Sequence, residues 1–171
     1  YDVSNPASPV EVGGVDLGVA GNGVFVSGRY AYVVTNRNGN EFRIFDVSNP
    51  ASPTSVGGVD LGAADGNGVF VSGRYAYVVH TTVAGNDFRI YDVSNPASPT
   101  EVGGADLGAS GFGVFVSGRY AYVVNLTVTG NDFRIFDVSG AEFTSVMAHS
   151  LESGSLQVRE NALINNQLYV T

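Results

Sequence analysis

Four aspartates stand in the same tripeptide, Asp-Val-Ser, at Asp2, Asp46, Asp92 and Asp137, spaced by 44, 46 and 45 residues. Carboxylates beside carbonyls are hard oxygen ligands, the chemistry that holds calcium. Asp46 and Asp92, however, each stand alone before Val-Ser-Asn-Pro. A short acceptor side chain there accepts backbone N–H groups and caps a turn, so the sequence predicts caps rather than ligands. Two oxygen-rich loops, Asn36-Arg37-Asn38-Gly39-Asn40 and Ala84-Gly85-Asn86-Asp87, are the places where a weakly held calcium ion would fit. No EF-hand spacing accompanies them, and no cofactor or metal is expected.

Nucleophilic and acid–base chemistry find little to work with. His80 and His149 are the two histidines, they lie in unlike contexts, and there is no cysteine and no lysine. A base needs a nucleophile within reach and a third group to orient it. The esterase elbow, the zinc-protease motif and the phosphate loop are all missing. The expectation is a protein without catalytic residues.

Aromatic and basic residues recur more regularly. Tyr30, Tyr32, Tyr75, Tyr77, Tyr120 and Tyr122 form one pair per unit. Such pairs serve either as a stacking surface for carbohydrate or as packing between sheets, and packing is the commoner use. Arg43, Arg89 and Arg134 also recur once per unit and are expected to pair with carboxylates. Asn125-Leu126-Thr127 is the one glycosylation sequon, at the point where a strand is expected to enter a loop.

The elements that would position these residues follow from a repeat. The run Val-Ser-Gly-Arg-Tyr-Ala-Tyr-Val-Val places its glycine at Gly28, Gly73 and Gly118, two intervals of 45 residues. A period of about 40–45 residues is that of a four-stranded propeller blade. Within the first unit, residues 23–27 and 30–34 alternate in polarity around a short Gly turn and read as a hairpin. Residues 41–47 read as a third strand. Asn49-Pro50 and Ser52-Pro53 then break the chain, and residues 54–61 read as a fourth strand with a bulge at Gly57-Gly58, suited to an outer edge. The predicted strands are 22–27, 30–36, 41–47 and 53–61, with equivalents one and two periods on. The fold class is therefore all-β: three four-stranded antiparallel blades in a propeller-like array, with units at about 2–45, 46–91 and 92–136 inside residues 1–140.

The segments "DVSNPASPTSVGG", "GVFVSGRYAYVV" and "FRIFDVSNP" resemble LVIVD-type repeats across about residues 1–140. That resemblance implies blades of β-propellers in bacterial and archaeal surface proteins, with no shared catalytic residues. Three blades are fewer than the four to eight of closed propellers. The rest are expected from further sequence or from other copies of the chain.

Residues 141–171 depart from the repeat. Residues 141–148 read as a degenerate outer strand. Beyond Gly154, apolar pairs at Leu156/Val158, Ala162/Ile164 and Leu168/Val170 step by six residues. A hexad fits one short strand and a turn, and the tail resembles β-helical stalk segments of fibre proteins. The alternative is a last blade strand and a frayed end.

Composition bounds the partners. The 171 residues are 44% hydrophobic with 23 glycines, enough for a packed core, and carry a net charge of −8. The eight basic residues are all arginine, too few for a phosphate-binding surface, so nucleic acid is not an expected partner. No apolar run reaches the roughly 20 residues of a membrane helix, so no membrane insertion is expected. The sequence thus predicts a non-enzymatic extracellular structural protein that associates with itself, by strand addition into an oligomer or filament, or with further repeats. The alternative is an adhesion module for carbohydrate or protein.

Overall fold

The computed structural model describes residues 4–36, 39–62, 64–81, 85–126 and 130–138, within a unit spanning Tyr1–Gly140. No helix occurs among them. The predicted tail, hexads included, lies outside the described residues, as do Asp2 and His149.

Eleven strands form three antiparallel sheets. The first holds β1 (Gly21–Ser27), β2 (Tyr30–Thr35), β3 (Phe42–Asp46) and β4 (Thr54–Val59) in sequential order. The second repeats it with β5 (Gly66–Ser72), β6 (Tyr75–His80), β7 (Phe88–Asp92) and β8 (Thr100–Ala105). The third contains β9 (Gly111–Ser117), β10 (Tyr120–Asn125) and β11 (Phe133–Asp137). Its predicted fourth strand falls outside the described residues.

Each strand follows from local chemistry. β1 and β2 pair from Ser27↔Tyr30 to Gly21↔Thr35 around the two-residue loop Gly28-Arg29. Gly28 sits at φ 57°, which a tight hairpin turn requires and which only glycine adopts without strain. β3 stops at Asp46, whose Oδ1 accepts the Ser48 N–H at 2.9 Å, while Asn49 caps the next turn by accepting from Ala51. Proline then ends the ladder. In β4 the register shifts so that Ile44 faces Gly57 while Phe45 faces Ser55. The extra residue is Val56, one place before the predicted bulge.

The core lies between sheets. Tyr32, Val34, Phe42 and Ile44 of the first blade pack on Val69, Val71, Ala76, Val78 and Tyr91 of the second. Tyr77, Val79 and Phe88 of the second pack on Val116, Ala121 and Val123 of the third. Aromatic contacts cross both interfaces: Phe70 lies 4.6 Å from Phe25 and 4.8 Å from Phe115, centroid to centroid. Burying such rings stabilises by about 1.5–3 kcal/mol each, so blade-to-blade packing dominates the fold.

Candidate functional site: the faces between blades

Each blade has two unlike faces, and the same residues recur on each. On the leading face stand Val24 and Val26 in blade one, 65% and 58% exposed. Their equivalents Val69 and Val71 are buried against the blade before. On the trailing face stand Phe42 and Ile44, both at 0% exposure beneath blade two. Their equivalents in blade three, Phe133 and Ile135, are each 56% exposed.

Polar stitches fix the register of this packing. Asn22 Nδ2 donates to the Gly66 carbonyl at 2.9 Å, and Asn67 Nδ2 donates to that of Gly111 at 2.7 Å, one period on. In blade three Phe112 stands where the asparagine would be. Gly57 lies so close to the next blade's proline loop that a Cβ there would sit 2.3 Å from the Pro96 oxygen, and Gly13 meets Pro50 in the same way.

Buried carboxylates hold the connections between blades. Glu41, fully buried just before β3, accepts the Gly39 N–H at 2.7 Å and the Leu61 N–H at 2.8 Å. Leu61 begins the crossing to the next blade. Asp87 takes the same place one unit on and accepts from Leu107 at 3.2 Å. Asp132, the third equivalent, is exposed. Sequence reasoning did not single out this set; the shared 20-residue interval from acid to the leucine of Asp-Leu-Gly was the available signal.

The predicted site residues fall into three groups. Tyr32 and Tyr77 are buried and stack on Phe42 and Phe88 at 6.4 Å, so they pack rather than present a sugar-binding ladder. Burial pushes the Tyr32 phenol above its ordinary pKa. Half-buried Tyr122 stacks on Phe133 at 6.2 Å. Tyr30, Tyr75 and Tyr120 instead lie under the guanidinium groups of Arg29, Arg74 and Arg119 at 5.4–5.5 Å.

Those same arginines pair with Asp46, Asp92 and Asp137. The hydrogen bond from Arg29 and then that from Ser48 hold the Asp46 carboxyl well below the usual carboxylate range, and Arg74 and Ser94 do the same for Asp92. Asp46 and Asp92 are therefore turn caps and ion-pair partners, and Asp137 is an ion-pair partner. The expectation for the other arginines is corrected: Arg43 donates to the Asn40 and Leu17 carbonyls, and Arg134 to those of Asn131 and Leu107. Of the three, only Arg89 approaches a carboxylate among the described residues, Glu101 at 3.8 Å. The guanidinium reaches past strand ends to satisfy carbonyls that the ladder leaves open.

Asn125 ends β10 at 7% exposure, and with its amide flipped the side-chain nitrogen donates to the Asn131 and Asp132 carbonyls at 3.1 Å. A glycan on that nitrogen would break both bonds. In the two candidate calcium loops three of the described oxygens serve internal donors: the Asn36 side chain accepts from Asn22, the Asn40 carbonyl from Arg43, and Asp87 from Leu107. Among the described residues no three acidic or histidine side chains gather as a metal site. His80 is buried, its Nδ1 2.9 Å from the Thr81 carbonyl. A groove of about 470 Å³ separates residues 15–16 from β3 and β4, with Arg43 and Phe45 in its wall.

The LVIVD repeat family matches residues 1–17, 19–60, 63–106 and 110–141. No curated protein matches the chain in sequence. Among solved structures, the computationally designed Ika4 protein is similar in fold, at 5% identity and a TM-score of 0.50. The alignment covers 68% of this chain and 64% of that one, so the chain spans just under two thirds of its length.

Proposed function

The chain belongs to the LVIVD repeat family, and we propose that it is a non-enzymatic structural protein of the cell exterior that associates with copies of itself. The observation carrying this reading is the complementarity of the exposed faces of blades one and three. The open trailing face of blade three repeats the one that blade two buries on blade one. The open leading face of blade one repeats the one that blade two presents in return. Near-identical units make such head-to-tail contacts cheap, because the interface already exists inside the chain. Exposed apolar faces of this kind otherwise favour unspecific aggregation. The surface location follows the setting implied by the resemblance.

Sedimentation velocity across the micromolar range tests it: a concentration-dependent assembly is expected, and a chain that stays monomeric throughout overturns it. The second reading, an adhesion module, draws on Tyr120, 41% exposed beside Arg119, and on the groove at Arg43. A single saturable glycan-array signal, lost on Tyr120→Ala with assembly intact, would favour that reading instead.

A further inference from the structure

Arg43 and Arg89 are the same residue of successive units, and they differ in what answers their charge. Arg89 donates to the Asn86 carbonyl at 3.1 Å and lies 3.8 Å from Glu101. Arg43 makes the matching bond to the Asn40 carbonyl at 2.9 Å, yet no carboxylate pairs with it among the described residues. The difference traces to one position of the outer strand. β4 reads Thr-Ser-Val-Gly-Gly from Thr54, and β8 reads Thr-Glu-Val-Gly-Gly from Thr100. Pairing sets Ser55 opposite Phe45 as it sets Glu101 opposite Tyr91. At these two facing positions the first unit therefore lacks both the glutamate carboxylate and the tyrosine hydroxyl of the second.

The groove of about 470 Å³ lies there, with Arg43, Phe45 and Ser55 on one side and Val15 and Asp16 on the other. That volume is within the range of small-molecule sites. Arg43 commits two of its five N–H groups, to the Asn40 and Leu17 carbonyls, and leaves three for a ligand.

We propose that this groove binds a uronic acid, a hydroxylated ring bearing one carboxylate, with that carboxylate on Arg43 as Glu101 is on Arg89. This deepens the adhesion reading and rests on its groove, not on Tyr120 or on assembly. The second unit displays the pairing inside the chain itself. A carboxylate at that place is compatible with the arginine's bond to its loop carbonyl, which Arg89 keeps. It is also compatible with the nearby aspartate of Asp-Leu-Gly: Asp60 accepts the Gly62 N–H at 2.7 Å, as Asp16 accepts that of Gly18 at 2.8 Å.

The other wall groups select the body of the ligand. Asp16 engages Gly18 through Oδ1, so Oδ2 is left to accept from a hydroxyl, and exposed Ser55 both donates and accepts. A dianion would meet Asp16 and the field of a chain with net charge −8. A plain aliphatic acid would give Asp16 and Ser55 nothing to bind. One carboxylate on a ring of hydroxyls uses all three groups, and the guanidinium takes a carboxylate in paired bonds.

Methyl glucuronide, titrated into the isotope-labelled full chain and followed by amide chemical shifts, tests the site. Saturable shifts at the amides of residues 55–58 are expected, with a dissociation constant of about 1 mM. Neutral methyl glucoside should bind at least about tenfold more weakly, the loss of a charge-assisted pair. Acetate, which lacks the ring, should also bind more weakly. Arg43→Gln would release the Leu17 carbonyl as well, so the exposed Ser55 carries the mutational test. Ser55→Glu installs the second unit's carboxylate and should abolish the shifts with Tm unchanged or raised. Equal affinity for glucuronide and glucoside, or binding that survives Ser55→Glu, removes Arg43 from the site. Acetate binding as tightly as the glucuronide overturns the sugar acid, and shifts that never saturate or that lie outside the groove overturn the site. None of these results alters the glycan signal at Tyr120 or the sedimentation result, so the readings fail separately.

Discussion

Glu41→Gln removes one oxygen from a group that uses two. Oε1 takes the Gly39 N–H and Oε2 takes the Leu61 N–H, the latter bond buried. An amide has one acceptor oxygen, so whichever way it turns its NH₂ meets a backbone N–H. The lost charge-assisted bond costs about 1.5–3 kcal/mol, and the stranded buried donor adds to that. A total of about 3 kcal/mol is expected, roughly a hundredfold in the folding equilibrium. The same change at exposed Asp132 should stay within about 0.5 kcal/mol in the dissociated chain. Urea unfolding followed by tyrosine fluorescence, with no tryptophan to interfere, reads the difference. Hydrogen exchange should show the loss of protection centred on the Leu61 amide. Equal destabilisation by Glu41→Gln and Asp132→Asn would refute the clamp.

Gly57→Ala drives a Cβ to 2.3 Å from the Pro96 oxygen and should cost about 1–3 kcal/mol by overpacking, read as a lower Tm; an unchanged Tm would mean the loop yields freely. Phe70→Ala removes the ring between Phe25 and Phe115 and should lower stability by about 2–3 kcal/mol in denaturant, more than Phe115→Ala at the open face. Asp46 and Asp92 have carboxyls depressed by their arginines. Their contribution is therefore fully present above the unfolded pKa of about 4 and lost as pH falls below it towards the folded values. Thermal melts should be flat near neutrality and fall in acid, and Arg29→Ala with Arg74→Ala should flatten the acid limb; a limb of unchanged slope would exclude these pairs as its source.

The strand plan was legible because period-2 runs, Ser-Gly turns and Asn-Pro breaks each act within a few residues. Asp46 read correctly as a cap for the same reason: its partner, Ser48, is two residues away. The bulge fell at Val56 rather than at the glycines because register is set across β3, and the glycines are there for a different cause, the backbones that press on them. Arg43 misread because partner choice depends on which ends of other strands lie nearby. The Glu41 clamp spans 20 residues and closes only once the fourth strand has returned, so no local pattern marks it. The face complementarity was partly visible in the repeats; what the sequence could not show was which copy of each residue is covered.

The contacts of Gly13 with Pro50 and of Gly57 with Pro96, and the bonds from Asn22 to Gly66 and from Asn67 to Gly111, all run from one unit to the unit after it. Each unit thus shares the seating of its outer strand and its inner register with its neighbour. Coupling of this sort is reciprocal, so loosening either unit of a pair weakens the other by the same free energy. The second unit, packed on both the first and the third, should be the last to lose its amide protection, as the middle tile of a row is held by two edges.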